Sequence, residues 1–191
     1  KVCPKENGKL FPYPISPSYV RLDVLMKNPI IKSHFEKNGF ATTWEKKGMI
    51  LHPQILATDY AGEIGEEAFK AILLHYTDCT EKDIKHLEGK DYELADFVIT
   101  NEDGNYRIAF DVKNMNPKVD HNDKESDMPT TQKREIKRKR LGCELITVNM
   151  LDMDAAGMDE IREIHGVIDV NGNIIPSAIE RIQKLVNKNN I

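Results

Sequence analysis

Apolar and polar residues alternate on both sides of Asp103-Gly104 through residues 93–114, ELADFVITNEDGNYRIAFDVKN. A period of two argues for half-buried strands, and Asp-Gly between two such runs is the strongest short-range sign of a β-hairpin. With Asp103 and Gly104 as a two-residue type I′ loop, Glu102 faces Asn105, Thr100 faces Arg107, Val98 faces Ala109 and Asp96 faces Asp111. The same period puts Lys113 on the face of Asp111 and sends Tyr106, Ile108, Phe110 and Val112 into the core. Like charges directly opposed destabilise a ladder, so this register asks for something cationic between Asp96 and Asp111. A turn one residue longer is expected to put the two acids on opposite faces.

Helical spacing is clearest in residues 62–76, where Phe69, Ile72, Leu73 and Tyr76 form one stripe and Glu66 lies on it. Glu66 is expected to point at the sheet from the first helical turn, where an acid also complements the helix dipole, as Glu63 and Glu67 would. Upstream, the proline-rich residues 1–18 read as an extended lead-in. Ser16 or Ser18 can cap a helix to about Lys27, and Pro29 and Gly39 suit the start and stop of a second. Residues 40–51, with Trp44, read as a strand or a packed loop.

Downstream, residues 80–87 read as a short helix capped by Thr80, and 114–130, with Pro117 and Pro129, as a mobile loop. Residues 131–141, TQKREIKRKRL, form a helix with six basic residues and one acid, so most of it must face solvent or phosphate. Gly142 stops it before an apolar strand over 144–151. A second hairpin turns around Asn171-Gly172, and Ser177 caps a closing amphipathic helix. Asp152, Asp154, Gly157 and Glu163 fall at calcium-loop offsets, but Ala156 at the fifth position and the incoming strand exclude an EF-hand.

At 191 residues the chain can bury one sizeable core. No apolar run approaches the roughly 20 residues of a membrane helix and no signal peptide opens the chain, so a cytoplasmic protein without a membrane partner is expected. Cys3, Cys79 and Cys143 are far apart and outside any CxxC pattern, which argues against a zinc site or a disulfide framework. The net charge of −4 argues against binding nucleic acid with the whole surface, whereas the basic helix supplies a local stripe that can. Lys1 in place of Met reads as an excised domain or a trimmed form of a longer chain.

A helix bearing Glu66, a strand with Asp96, a strand ending in Asp111-Val112-Lys113, a basic helix and a further strand resemble the PD-(D/E)XK nuclease superfamily. The nearest likeness is to archaeal Holliday-junction resolvases and Mrr-like restriction endonucleases, which place a Gly or Ala and then a Glu on the helix before the motif. The resemblance runs from about Ala61 to Leu151. It implies an α/β, restriction-endonuclease-like αβββαβ core, a central mixed sheet flanked by helices, over residues 61–191. Residues 1–60 become an N-terminal helical extension packed on that core.

The resemblance further implies that Asp96 bridges the metal, Asp111 is the second acid ligand and the Val112 carbonyl completes the shell. Lys113 orients or activates the attacking water, and Glu66 matches the family's helix glutamate. Mg²⁺ or Mn²⁺ is the implied cofactor, since hard oxygen ligands suit either ion. Gln132, Lys133, Arg134, Lys137, Arg138 and Arg140 are the expected contacts to nucleic acid, DNA first, with phosphates gripped irrespective of sequence. Ala95 stands where the motif has proline, and Ile136 where one subgroup has tyrosine. The expected activity is phosphodiester hydrolysis in restriction, recombination or phage defence, with a homodimer left open. The alternatives are a non-catalytic nucleic-acid-binding module of a larger helicase-type protein and a protein-interaction domain.

Overall fold

Phe69, Phe97 and Phe110 meet with ring centroids 5.2 to 5.9 Å apart, and they join the longest helix to the middle of a four-stranded mixed sheet. The computed structural model describes residues 5–6, 9–10, 22–38, 53–87, 91, 93–114, 130–151 and 164–187. In chain order the elements are β1 (Lys5–Glu6), β2 (Lys9–Leu10), α1 (Leu22–Leu25), α2 (Pro29–Asn38), α3 (Pro53–Tyr76), β3 (Ile84–His86), β4 (Phe97–Thr100), β5 (Tyr106–Lys113), α4 (Thr130–Leu141), β6 (Glu144–Asn149) and α5 (Pro176–Val186). The sheet runs β3-β4-β5-β6. Its first two pairs are antiparallel and β5/β6 is parallel. Parallel neighbours cannot be joined by a tight turn, and α4 lies in the crossover between them.

Both faces of this α/β sheet are covered, and β4 is buried at all four positions as a result. On one face Phe97, Ile99, Ile108, Phe110, Val112, Ile146 and Val148 share a core with Phe69 and Ile72 of α3, Ile31 and Phe35 of α2, and Ile179 and Ile182 of α5. On the other, Val98, Ala109 and Leu145 pack with Leu87, Leu94 and Leu141. Fully burying one large apolar side chain contributes about 1.5–3 kcal/mol.

The central hairpin keeps the expected pairing at Val98↔Ala109 but reaches it by another route. Its loop is three residues, not two. Asn101 N–H donates to the Asn105 carbonyl at 3.0 Å, Gly104 N–H donates to the Asn101 carbonyl at 3.0 Å, and Asn101 Oδ1 accepts from Asn105 N–H at 2.8 Å. Gly104, at φ 79°, takes the single left-handed position. Thr100 therefore pairs with Tyr106, while Ile99 pairs with Ile108. Arg107 is the extra residue of a β-bulge. The bulge cancels the longer turn and restores the register from Ile99 and Ile108 onward. It also moves Tyr106 to the α4 face, where it joins the second cluster, and lets Arg107 Nη2 donate to the Val186 carbonyl at 3.1 Å.

The second Asx-x-x-Gly turn is built alike. Asp169 N–H donates to the Asn173 carbonyl at 2.9 Å, Asp169 Oδ1 accepts from Asn173 N–H at 2.9 Å, and Gly172 has φ 85°.

Three local expectations are corrected. Residues 84–86 are a strand rather than helix, because the Thr80–Asp83 contacts (2.7 and 2.8 Å) close a turn that delivers the chain to the sheet edge beside β4. The closing helix starts at Pro176, whose missing N–H suits N1, after Ile175 as N-cap, so Ser177 is not its cap. Finally, α3 begins at Pro53, which sets Glu66 well past the first turn and removes the helix-dipole account of it. Gly39, the 40–51 stretch, the 115–129 loop and the calcium-like 152–163 segment lie outside the described residues. Among those described, no helix is long and apolar enough to cross a membrane.

Candidate metal and phosphodiester site

β4 begins at Phe97, and Asp96, the residue before it, carries the pairing on with its backbone and its own side chain. Its N–H donates to the Phe110 carbonyl at 3.0 Å, while its Oδ2 accepts from Val112 N–H at 2.5 Å. The carboxylate is thereby tied to the strand that carries Asp111 and Lys113. One residue along, Lys113 Nζ donates to Asp111 Oδ1 at 2.6 Å. All three side chains sit where β5 ends beside its parallel neighbour β6, on the face covered by α4.

Gly65 brings α3 to the same place. A Cβ added there would stand 2.4 Å from Asn114 Cβ, a separation that real Cβ atoms do not show. Only glycine lets the helix settle against the residue after Lys113, and Glu66 follows directly. Glu67 turns elsewhere, its Oε2 2.9 Å from His34 Nε2 and its Oε1 3.9 Å from His86 Nε2.

The electrostatics show a site short of positive charge. Burial, reinforced by Asp96, Glu63 and Glu67, pushes the Glu66 carboxyl from 4.5 up to about 8, with Lys113 opposing. Burial and then Asp111 raise Asp96 from 3.8 to about 6, against Lys113, Val112 N–H and Lys137. Burial works against the charge on Lys113, but Asp111, Asp96 and Glu66 outweigh it and hold the ammonium above its ordinary range. A cation placed among these oxygens would lower both carboxyl pKa values. In kind, Asp96, Asp111 and the Val112 carbonyl are hard oxygen donors suited to Mg²⁺ or Mn²⁺. Among the described residues no group of three His, Cys, Asp or Glu side chains is gathered closely enough to hold a metal ion.

The basic residues of α4 divide. Arg134 and Arg138 turn inward, each donating through Nη2 to the Leu145 carbonyl, at 3.0 and 3.3 Å. Gln132, Lys133 and Arg140 are exposed, with Arg140 Nη2 3.9 Å from Asp91 Oδ1. Lys137 is half-buried and close enough to Asp96 to lower its pKa, which connects the helix to the acids.

Two buried neighbours of the site were missed in the sequence. Asn114 follows Lys113 directly, and Asn149 closes a strand buried at its last five positions. The signal for Asn149 was a polar residue closing a buried run. No protein-family model and no curated protein matches the chain.

Proposed function

We propose that this chain is a metal-dependent endonuclease that hydrolyses phosphodiester bonds, DNA first among them. The observation that carries the reading is the convergence of Asp96, Asp111 and Lys113 at one end of the β4/β5 pair, with Asp96 bonded to Val112 N–H and Lys113 to Asp111. The order α3-β3-β4-β5-α4-β6 supports a restriction-endonuclease-like αβββαβ core. Asp96, Asp111 and the Val112 carbonyl would hold Mg²⁺ or Mn²⁺, with Glu66 beside them. The ion would polarise the phosphoryl oxygen and lower the pKa of bound water.

The chain's own groups would then divide the work. Lys113, kept charged by the surrounding acids, would orient the attacking water and offset charge developing on the phosphate. Asp96 and Asp111, fixed to the sheet, would set the geometry with little reorganisation. Lys133, Lys137 and Arg140 would hold backbone phosphates without reading sequence.

The test is incubation of plasmid, single-stranded DNA and RNA with the protein and Mn²⁺. Cleavage that falls at least about 10²-fold in Lys113→Ala is expected. No cleavage of any substrate, or undiminished cleavage by the variant, would sink the reading. One observation favours a second reading, a nucleic-acid-binding module without catalysis: no three metal-ligating side chains are gathered among the described residues. Salt-sensitive binding without metal-stimulated cutting would select it.

A further inference from the structure

Asn149 ends β6 in register with Lys113 across the parallel β5/β6 pair, so the two residues share a face with backbones about 4.8 Å apart. Asn149 is only 5% exposed. Its Nδ2 donates to the Leu151 carbonyl at 2.7 Å and the His165 carbonyl at 3.3 Å, both in chain beyond β6. His165 follows Ile164, which pairs with Val148 on the edge of β6 away from β5. The amide nitrogen is thus spent on that side. Oδ1, buried as well, receives no hydrogen bond. A buried acceptor left so forfeits its hydration without a replacement, and few native groups are left so without a reason.

Lys113 has the complementary problem. Its ammonium donates to Asp111 Oδ1, an oxygen that a bound cation would claim. Once displaced, the ammonium would need another acceptor on the same face, within reach of a flexible four-carbon stem.

We propose that Asn149 Oδ1 is the second docking point of the Lys113 ammonium, taken up when a divalent cation occupies the Asp111 carboxylate. The inference rests on the metal reading above. Asn149 is then a positioning residue: it makes displacement of Lys113 from Asp111 less costly and keeps the ammonium on the site's face. It explains both the orphaned acceptor and how one carboxylate serves a lysine in one state and a metal in the other.

The test is calorimetric Mn²⁺ binding by the full chain as wild type, Asn149→Ala, Lys113→Ala and the double variant. Asn149→Ala is expected to weaken Mn²⁺ binding about tenfold when Lys113 is present, the scale of one charge-assisted hydrogen bond, and to have no effect in the Lys113→Ala background. Asn149→Ser, whose hydroxyl is one bond shorter, serves equally if the alanine variant does not fold. Equal effects in both backgrounds, or none in either, overturn the role of Asn149 and leave the metal site standing. A wild-type chain that binds no Mn²⁺ overturns both.

Discussion

Gly65 and Asn114 are in contact across the α3–β5 boundary, so close that a Cβ on Gly65 would lie 2.4 Å from that of Asn114. The contact sets Glu66 against the end of the strand that carries Asp111 and Lys113. Gly65→Ala is expected to cost about 1–3 kcal/mol as overpacking, read as a lower midpoint of thermal unfolding. Adding Asn114→Gly should restore part of that loss. If Gly65→Ala leaves the midpoint unchanged, the close approach is not real.

The bulge at Arg107 makes an unusual deletion prediction. Removing Arg107 leaves Thr100↔Tyr106 and Ile99↔Ile108 as successive pairs, so every other residue keeps its face. The variant should fold, losing about 1 kcal/mol with the Val186 contact. Deleting Ala109 instead should move Asp111 and Lys113 to the α3 face and prevent folding. Circular dichroism and thermal melts of the two deletions decide it, and equal damage from both would count against the bulge.

The raised carboxyls fix a sign for pH dependence. A carboxyl whose pKa is higher in the folded than in the unfolded chain binds protons preferentially when folded, so stability falls as pH rises between the two values. In EDTA, stability should therefore decline between about pH 4.5 and 8 through Glu66, and between 3.8 and about 6 through Asp96. Glu66→Gln should remove the part of the decline above pH 6, and Mg²⁺ should flatten the whole. Melting midpoints across pH 4–9, with and without metal, give the measurement. A midpoint that rises through this window in EDTA would contradict the burial of these acids.

Basic residues of α4 should separate into two groups. Arg134→Ala and Arg138→Ala remove hydrogen bonds to the Leu145 carbonyl and should each lower stability, by about 0.5–1.5 kcal/mol. Lys133→Ala and Lys137→Ala should leave stability nearly unchanged and reduce the slope of log affinity for DNA against log salt by about one each. Unfolding midpoints and salt titrations of binding separate the two. Equal salt effects for all four would reject the division.

Much of the ladder was legible because alternation is local. Val98↔Ala109 follows from counting outward through two apolar runs, and the common face of Asp111 and Lys113 follows from a period of two. The two-residue turn expected from Asp103-Gly104 differs from the observed loop, which also includes Glu102. Asn101, three residues before Gly104, was the overlooked sign of a type I turn with glycine at its fourth position, and Asp169 before Gly172 repeats it. Strand β3 escaped because three residues with one buried position carry almost no periodicity.

The sequence by itself determined the alternation that puts Asp111 with Lys113, the amphipathic stripe of α3 and the charge of α4, since each depends only on spacing along the chain. Tertiary structure alone decided that a bulge at Arg107 repairs a longer turn, that Glu66 sits deep in a helix held close by Gly65, and that Arg134 and Arg138 serve a strand carbonyl. It also decided that Asn149 is buried beside Lys113 with an unused acceptor. These depend on contacts between residues remote in sequence, where packing and burial rather than local pattern set the free energy.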